Sequence, residues 1–191
     1  SGGSLIAGVG TSSVSERRYF AFPRAINTGG RRLTNERLLA PFVELGFTDV
    51  AAYQAAGNVT FRSADAVDER RIERELAAAY GFDTPVFVRT AAEIGAIVDV
   101  EPFSPAEIAG TAGKVQVTFL RARPSRDQIA ALVDLVPEED LVRVIGCEWY
   151  WLPAEGVSGS SLDVGRVESL LGAMTMRTLG TVARMSNKFA D

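Results

Sequence analysis

Arg18-Tyr19-Phe20-Ala21-Phe22-Pro23-Arg24-Ala25-Ile26-Asn27-Thr28-Gly29-Gly30-Arg31-Arg32-Leu33-Thr34 reads as strand, loop and helix start in one run. Residues 17–22 form an aromatic strand that ends near Pro23, a residue tolerated at strand ends and edges. Gly29-Gly30 let the backbone take φ > 0 and approach a ligand closely. Thr34 is a plausible N-cap, with Leu38, Phe42 and Leu45 at i, i+4 and i+7 and Gly46 as the stop. Pro41 falls inside that pattern and is expected to kink the helix or shift its start. Arg24, Arg31, Arg32 and Asn27 crowd the loop just ahead of a helix N-terminus, whose unpaired N–H groups attract anions.

Working outward, the first half reads strand, helix, strand, strand, helix, strand. A hairpin joins Asp49–Tyr53 to Val59–Arg62 through a turn at Ala55-Ala56-Gly57-Asn58. A helix at about Asp68–Tyr80 stops at Gly81, and Pro85–Arg89 is the fourth strand. A short helix follows, where Thr90 and Glu93 have capping-box spacing. Pro102 and Pro105 then mark residues 101–113 as a linker.

The second half repeats the order. Val115–Leu120 alternates, Ser125 and Gln128 set a capping box, and Gly146-Cys147 turns a tight hairpin between Asp140–Ile145 and Glu148–Leu152. A helix from about Ser161 ends at Gly172. Met174–Thr178 is the last strand, and Val182–Phe189 a closing helix. Thr34 and Ser125, Val50 and Leu141, and Gly81 and Gly172 each lie 91 positions apart. An internal repeat of a β-α-β-β-α-β unit explains that offset. The expected fold is therefore α+β, a tandem duplication of a ferredoxin-like unit with mainly antiparallel sheets and helices on one face. Residues 1–16 read as a leader, 17–100 as the first repeat and 114–191 as the second, with its C-terminal helix.

The two repeats differ where the Gly/Arg loop stands; the second has only Arg121-Ala122-Arg123-Pro124 there. Extra loop length on a rigid scaffold is where function tends to sit. In such a unit the end of strand one, the start of helix one and the turn between strands two and three meet at one end of the sheet. Arg24, Asn27, Gly29, Gly30 and Arg31 are thus expected to face Gly57 and Asn58 across one cleft. Turn chemistry alone accounts for Gly29-Gly30 and Gly57-Asn58 equally well.

Composition narrows the chemistry. With no histidine and only Cys147, Ser-His-Asp, Cys-His and His-ligated metal sites cannot be built within one chain. Only two of the 20 basic residues are lysine (Lys114 and Lys188), and arginine binds phosphate or carboxylate well but is a poor general base. No cofactor or metal is expected. A net charge of -4 argues against a general nucleic-acid binder. No apolar run approaches the ~20 residues of a membrane helix, and the lone cysteine agrees with a reducing compartment, so a cytoplasmic protein is expected.

Residues 18–30, together with Glu44-Leu45-Gly46-Phe47-Thr48-Asp49-Val50 and Tyr53 through Phe61, resemble the opening segments of the bacterial Domain of Unknown Function 1697 family. Its Arg-Gly-Ile-Asn-Val-Gly-Gly loop is similar to Arg24-Ala25-Ile26-Asn27-Thr28-Gly29-Gly30, and its Gln-Ser-Gly-Asn-Val turn to Ala55-Ala56-Gly57-Asn58-Val59. The resemblance implies a duplicated ferredoxin-like architecture and no established activity. This chain departs at Ala25, Ala55 and Ala56. It lacks the family's Gly-Arg-Ser-Lys-Leu near Ser158–Leu162, yet keeps Arg177, Thr181 and Val182 of a later segment.

Three readings of function follow. The first is a small-molecule binding protein whose anionic ligand, a nucleotide or phosphorylated metabolite, sits on Arg24, Asn27, Gly29, Gly30, Arg31, Gly57 and Asn58. The second is an RNA- or DNA-binding module, with Trp149-Tyr150-Trp151 alternating so that one face could stack bases. The third is an enzyme working by arginine and amide electrostatics without histidine. A free sheet edge leaves pairing with a second copy open. Gly110-Thr111-Ala112-Gly113-Lys114 fails as a phosphate loop because the spacing is wrong and a strand follows. Ser158–Ser161 is explained by a plain cap, and Glu73/Glu75 and Glu138/Glu139/Asp140 read as solvated faces.

Overall fold

The structure, a computed structural model, describes residues 14–24, 32–54 and 57–190. The first unit is β1 (Arg17–Pro23), α1 (Asn35–Glu44), β2 (Thr48–Ala52), β3 (Val59–Ser63), α2 (Glu69–Tyr80) and β4 (Val86–Thr90). Helices α3 (Ala91–Asp99) and α4 (Pro105–Ala109) follow. The second unit is β5 (Gln116–Leu120), α5 (Arg126–Leu135), β6 (Leu141–Ile145), β7 (Glu148–Leu152), α6 (Val164–Leu171) and β8 (Met174–Thr178), closed by α7 (Leu179–Lys188). The sheets run β2-β3-β1-β4 and β6-β7-β5-β8, and every neighbouring pair is antiparallel. The fold is α+β, built of two similar units.

Register makes the likeness specific. Phe20 lies opposite Thr60 and Arg89, and Val117 opposite Tyr150 and Arg177. The trailing helices belong to the repeat as well, since Thr90 caps α3 and Thr178 caps α7.

Most elements start where local chemistry puts them. The Thr90–Glu93 and Ser125–Gln128 capping boxes both form, and Gly81 closes α2 at φ 79. Pro41 is carried inside α1 and buried, and it does not end the helix. Residues 101–113 hold α4, begun by a Ser104–Glu107 capping box, so they are more than a linker. Helix α6 starts later than expected, because Asp163 is its cap. Ser160, just ahead, instead donates its hydroxyl to Asp140. Asp140 is no solvated carboxylate: it is 6% exposed and also accepts from Trp151 Nε1 and Ala154 N.

Each sheet carries its own two helices on one face, as expected, and meets the other unit with the opposite face. One face of the first sheet packs Tyr19, Ala21, Val59 and Phe61 against Leu38 and Phe42 of α1 and Ile72 and Leu76 of α2. One face of the second packs Leu120, Trp149 and Trp151 against Leu132 of α5 and Val167 of α6. The remaining faces meet: Phe20, Phe22 and Phe87 share a core with Val117, Phe119 and Tyr150, joined by Ile94 and Ile97 of α3 and Val182 and Met185 of α7. Between them, the shared core and the core under α5 and α6 bury all of β5 and β7. Trp149, Tyr150 and Trp151 are each 1% exposed or less, so this strand presents no ring to solvent.

Candidate anion-binding pole

The two units grip each other through matched arginines. Arg89 and Arg177 are the penultimate residues of β4 and β8. Arg89 Nη2 donates to Leu120 O at the end of β5 (2.7 Å), and its Nε to Glu148 Oε1 at the start of β7 (2.7 Å). Arg177 Nη2 donates to Pro23 O at the end of β1 (3.1 Å), and its Nε to Asn58 Oδ1 just before β3 (2.8 Å). Arg121, beyond β5, ion-pairs with Glu69 and Glu73 of α2, while Arg24, beyond β1, pairs with Glu168 of α6. Each arginine thus does in one unit what its counterpart does in the other.

Two poles result, related by this pseudo-symmetry. At one, β1 ends beside the turn before β3: Ala21 pairs with Val59, and Arg177 Nη2 also reaches Gly57 O (3.3 Å). Both connections are longer here than in the second unit, 24–34 against 121–125 and 53–58 against 146–147. Gln54 and Gly57 turn the chain at φ 58 and φ 72. Lys188 Nζ of α7 lies 5.6 Å from the centre of the Tyr53 ring.

Arg24 is part-exposed and holds Glu168 with both terminal nitrogens, the Nη2–Oε2 contact being 2.8 Å. Asn58 is fully buried; its Nδ2 donates to Tyr53 O (3.1 Å) while its Oδ1 receives Arg177. Gly57 contributes its carbonyl to the same guanidinium. Asn27, Gly29, Gly30 and Arg31, along with Ala25, Ala55 and Ala56, lie outside the described residues.

Sequence reasoning left Arg177 out of the site, although the structure puts it at the pole's centre. The signal was present: Arg89-Thr90 and Arg177-Thr178 are the same dipeptide, 88 positions apart, at the ends of equivalent strands. Arg177 is largely buried, and its five N–H groups go to Asn58 Oδ1, Thr175 Oγ1 and the carbonyls of Met176, Pro23 and Gly57. All five acceptors are neutral. Among the described residues no carboxylate lies within ion-pairing distance of it, and burial lowers its pKa to about 10. It is still protonated at neutral pH.

The sister pole differs in charge. There Arg89 has Glu148, Arg121 has Glu69 and Glu73, and Glu93 caps α3. At the positions of Glu148, Glu93 and Glu69 the first pole carries Asn58, Thr181 and Val164. Where Ala96 of α3 and the following C-cap Val100 stand, α7 carries Arg184 and Lys188. One pole is rich in cations with Glu168 as its paired acid; the other has more carboxylates than arginines. No group of His, Cys, Asp or Glu among the described residues could hold a metal ion, and no helix is long and apolar enough to cross a membrane.

Comparisons with known proteins agree on the architecture. A family model described as "Protein of unknown function (DUF1697)" matches residues 17–150. The solved structure of the conserved bacterial protein SP0830 from Streptococcus pneumoniae is similar, with a TM-score of 0.67 and 20% sequence identity. That similarity covers 91% of this chain and 98% of the other, and at this identity it speaks for the fold. No curated protein matches the chain.

Proposed function

Because the chain belongs to the Domain of Unknown Function 1697 family, whose name carries no activity, we propose its function from the pole itself: it binds a small anionic molecule, of the phosphate-bearing class, where β1 ends. The observation that supports this reading is the buried Arg177 charge, met by neutral oxygens and, among the described residues, by no carboxylate. A buried charge without a counter-charge is costly, and its field is weakly screened. An anion settling beside it gains what Glu148 gains at the sister pole. Arg24 and Lys188 stand at the rim, and the Gly29-Gly30 loop leads from Arg24 to the start of α1. The proposed role is one of binding: Glu168, the carboxylate at the described part of the pole, is already held by Arg24.

Isothermal titration with inorganic phosphate, pyrophosphate and a nucleoside triphosphate, in low-chloride buffer, tests the reading. Saturable binding is expected to weaken about tenfold or more in Asn58→Asp, which puts a carboxylate against Arg177 as Glu148 stands against Arg89. Arg24→Ala is expected to weaken it less. Absence of saturable heat, or equal affinity in Asn58→Asp, rejects the proposal.

A further inference from the structure

The sister pole holds a cleft of its own, about 420 Å³, between α3 and the β6–β7 hairpin. Its apolar lining comes from Ala96, Ile97, Val100 and Ile145. Tyr150 also lines it, is 1% exposed, and has a hydroxyl with no hydrogen-bond partner among the described residues. The oxygen itself is not among the fully buried unpartnered groups, so it keeps access to the cleft, and a guest there can bond to it.

The cleft's charges decide what kind of guest. Its two guanidinium groups are already engaged, Arg89 with Glu148 and Arg121 with Glu69 and Glu73. The unused capacity is in acceptors. Glu148 gives one oxygen to Arg89, and Glu93 one oxygen to Thr90 N; the other oxygen of each takes no hydrogen bond among the described residues. We propose that this cleft binds a small organic amine with an apolar body, its ammonium held by Glu93, Glu148 and the Tyr150 hydroxyl oxygen, its body against Ile97, Val100 and Ile145. The site is separate from the anion-binding pole and does not rest on it.

Cys147, the single cysteine of the chain, lines the same cleft and reports on it directly. The experiment follows the rate of Cys147 modification by a soluble aromatic disulfide while benzylamine, benzyl alcohol or benzoate is titrated into the full chain. Benzylamine is expected to slow modification saturably, at least threefold, and benzoate to leave it unchanged. Ala96→Phe, at an exposed helix position, fills the cleft and is expected to abolish the benzylamine effect. Tyr150→Phe removes a hydroxyl without a protein partner, so it is expected to weaken benzylamine binding several-fold while leaving the unfolding midpoint where it was. Equal protection by benzoate, no saturable protection by benzylamine, or full benzylamine protection in Ala96→Phe overturns the proposal.

Discussion

The ring of Phe22 lies on the ring of Phe119, with 4.3 Å between centroids and 11° between planes. The two are equivalent residues, each near the end of its unit's first strand and each under the other unit's arginine: Arg177 over Phe22 and Arg89 over Phe119. The junction of the two units is therefore one arrangement used twice.

If that junction acts as a single packed element, Phe22→Ala and Phe119→Ala should each cost about 3–5 kcal/mol of unfolding free energy. Their effects should fall short of additive by about 0.5–1.5 kcal/mol, the extra worth of the ring pair. Urea unfolding of the singles and the double measures this. Additive losses would mean that the rings sit side by side without coupling.

Arg89 and Glu148 form a pair whose side chains are 9% and 10% exposed. Removing one partner strands a buried charge, so Glu148→Ala should cost about 3–5 kcal/mol. The double change Arg89→Met with Glu148→Leu should recover most of that loss, since a well-packed apolar pair can replace a buried ion pair. A double variant no more stable than Glu148→Ala would show that the arginine's bonds to Leu120 O and Val88 O carry the weight instead.

Asp49 sits at φ 47, beside a shift of register between β2 and β3, and accepts a hydrogen bond from Arg18. That bond holds its carboxyl below the ordinary 3.8. A carboxylate whose pKa falls on folding adds stability that is present above the unfolded value and lost as pH drops through the folded one. The acid limb of stability below about pH 4 should flatten in Asp49→Asn, with only a small change at neutral pH because the residue is largely exposed. Asparagine tolerates positive φ, so the backbone is not at issue. An unchanged acid limb, read from urea midpoints against pH, would remove Asp49 from the account.

Much of the fold was legible because it is local. Capping boxes at Thr90 and Ser125, the Gly81 stop and the Gly146-Cys147 hairpin are set by neighbours a few residues apart. The 91-residue spacing then made two units out of the list of elements. Carboxylates misled for the opposite reason. Glu73 follows helical spacing like any surface acid, yet it accepts from Val86 N on the edge strand and pairs with Arg121 from the other unit. Arg24 likewise read as a ligand-binding candidate, and only the fold sets Glu168 of α6 beside it. Nothing within a few residues of either side chain announces a partner that far along the chain.

The sequence by itself settled two α+β units, the order of their elements along the chain and the absence of histidine chemistry, because hydrophobic period, caps and residue counts act at short range or not at all on geometry. The tertiary structure alone decided how the second face of each sheet is covered, and so which charges are answered. Arg89 and Arg177 occupy the same place in their units, but only packing sets one against a carboxylate and the other against an amide and bare carbonyls. A charge's effect depends on what lies within a few ångströms in a weakly screening interior.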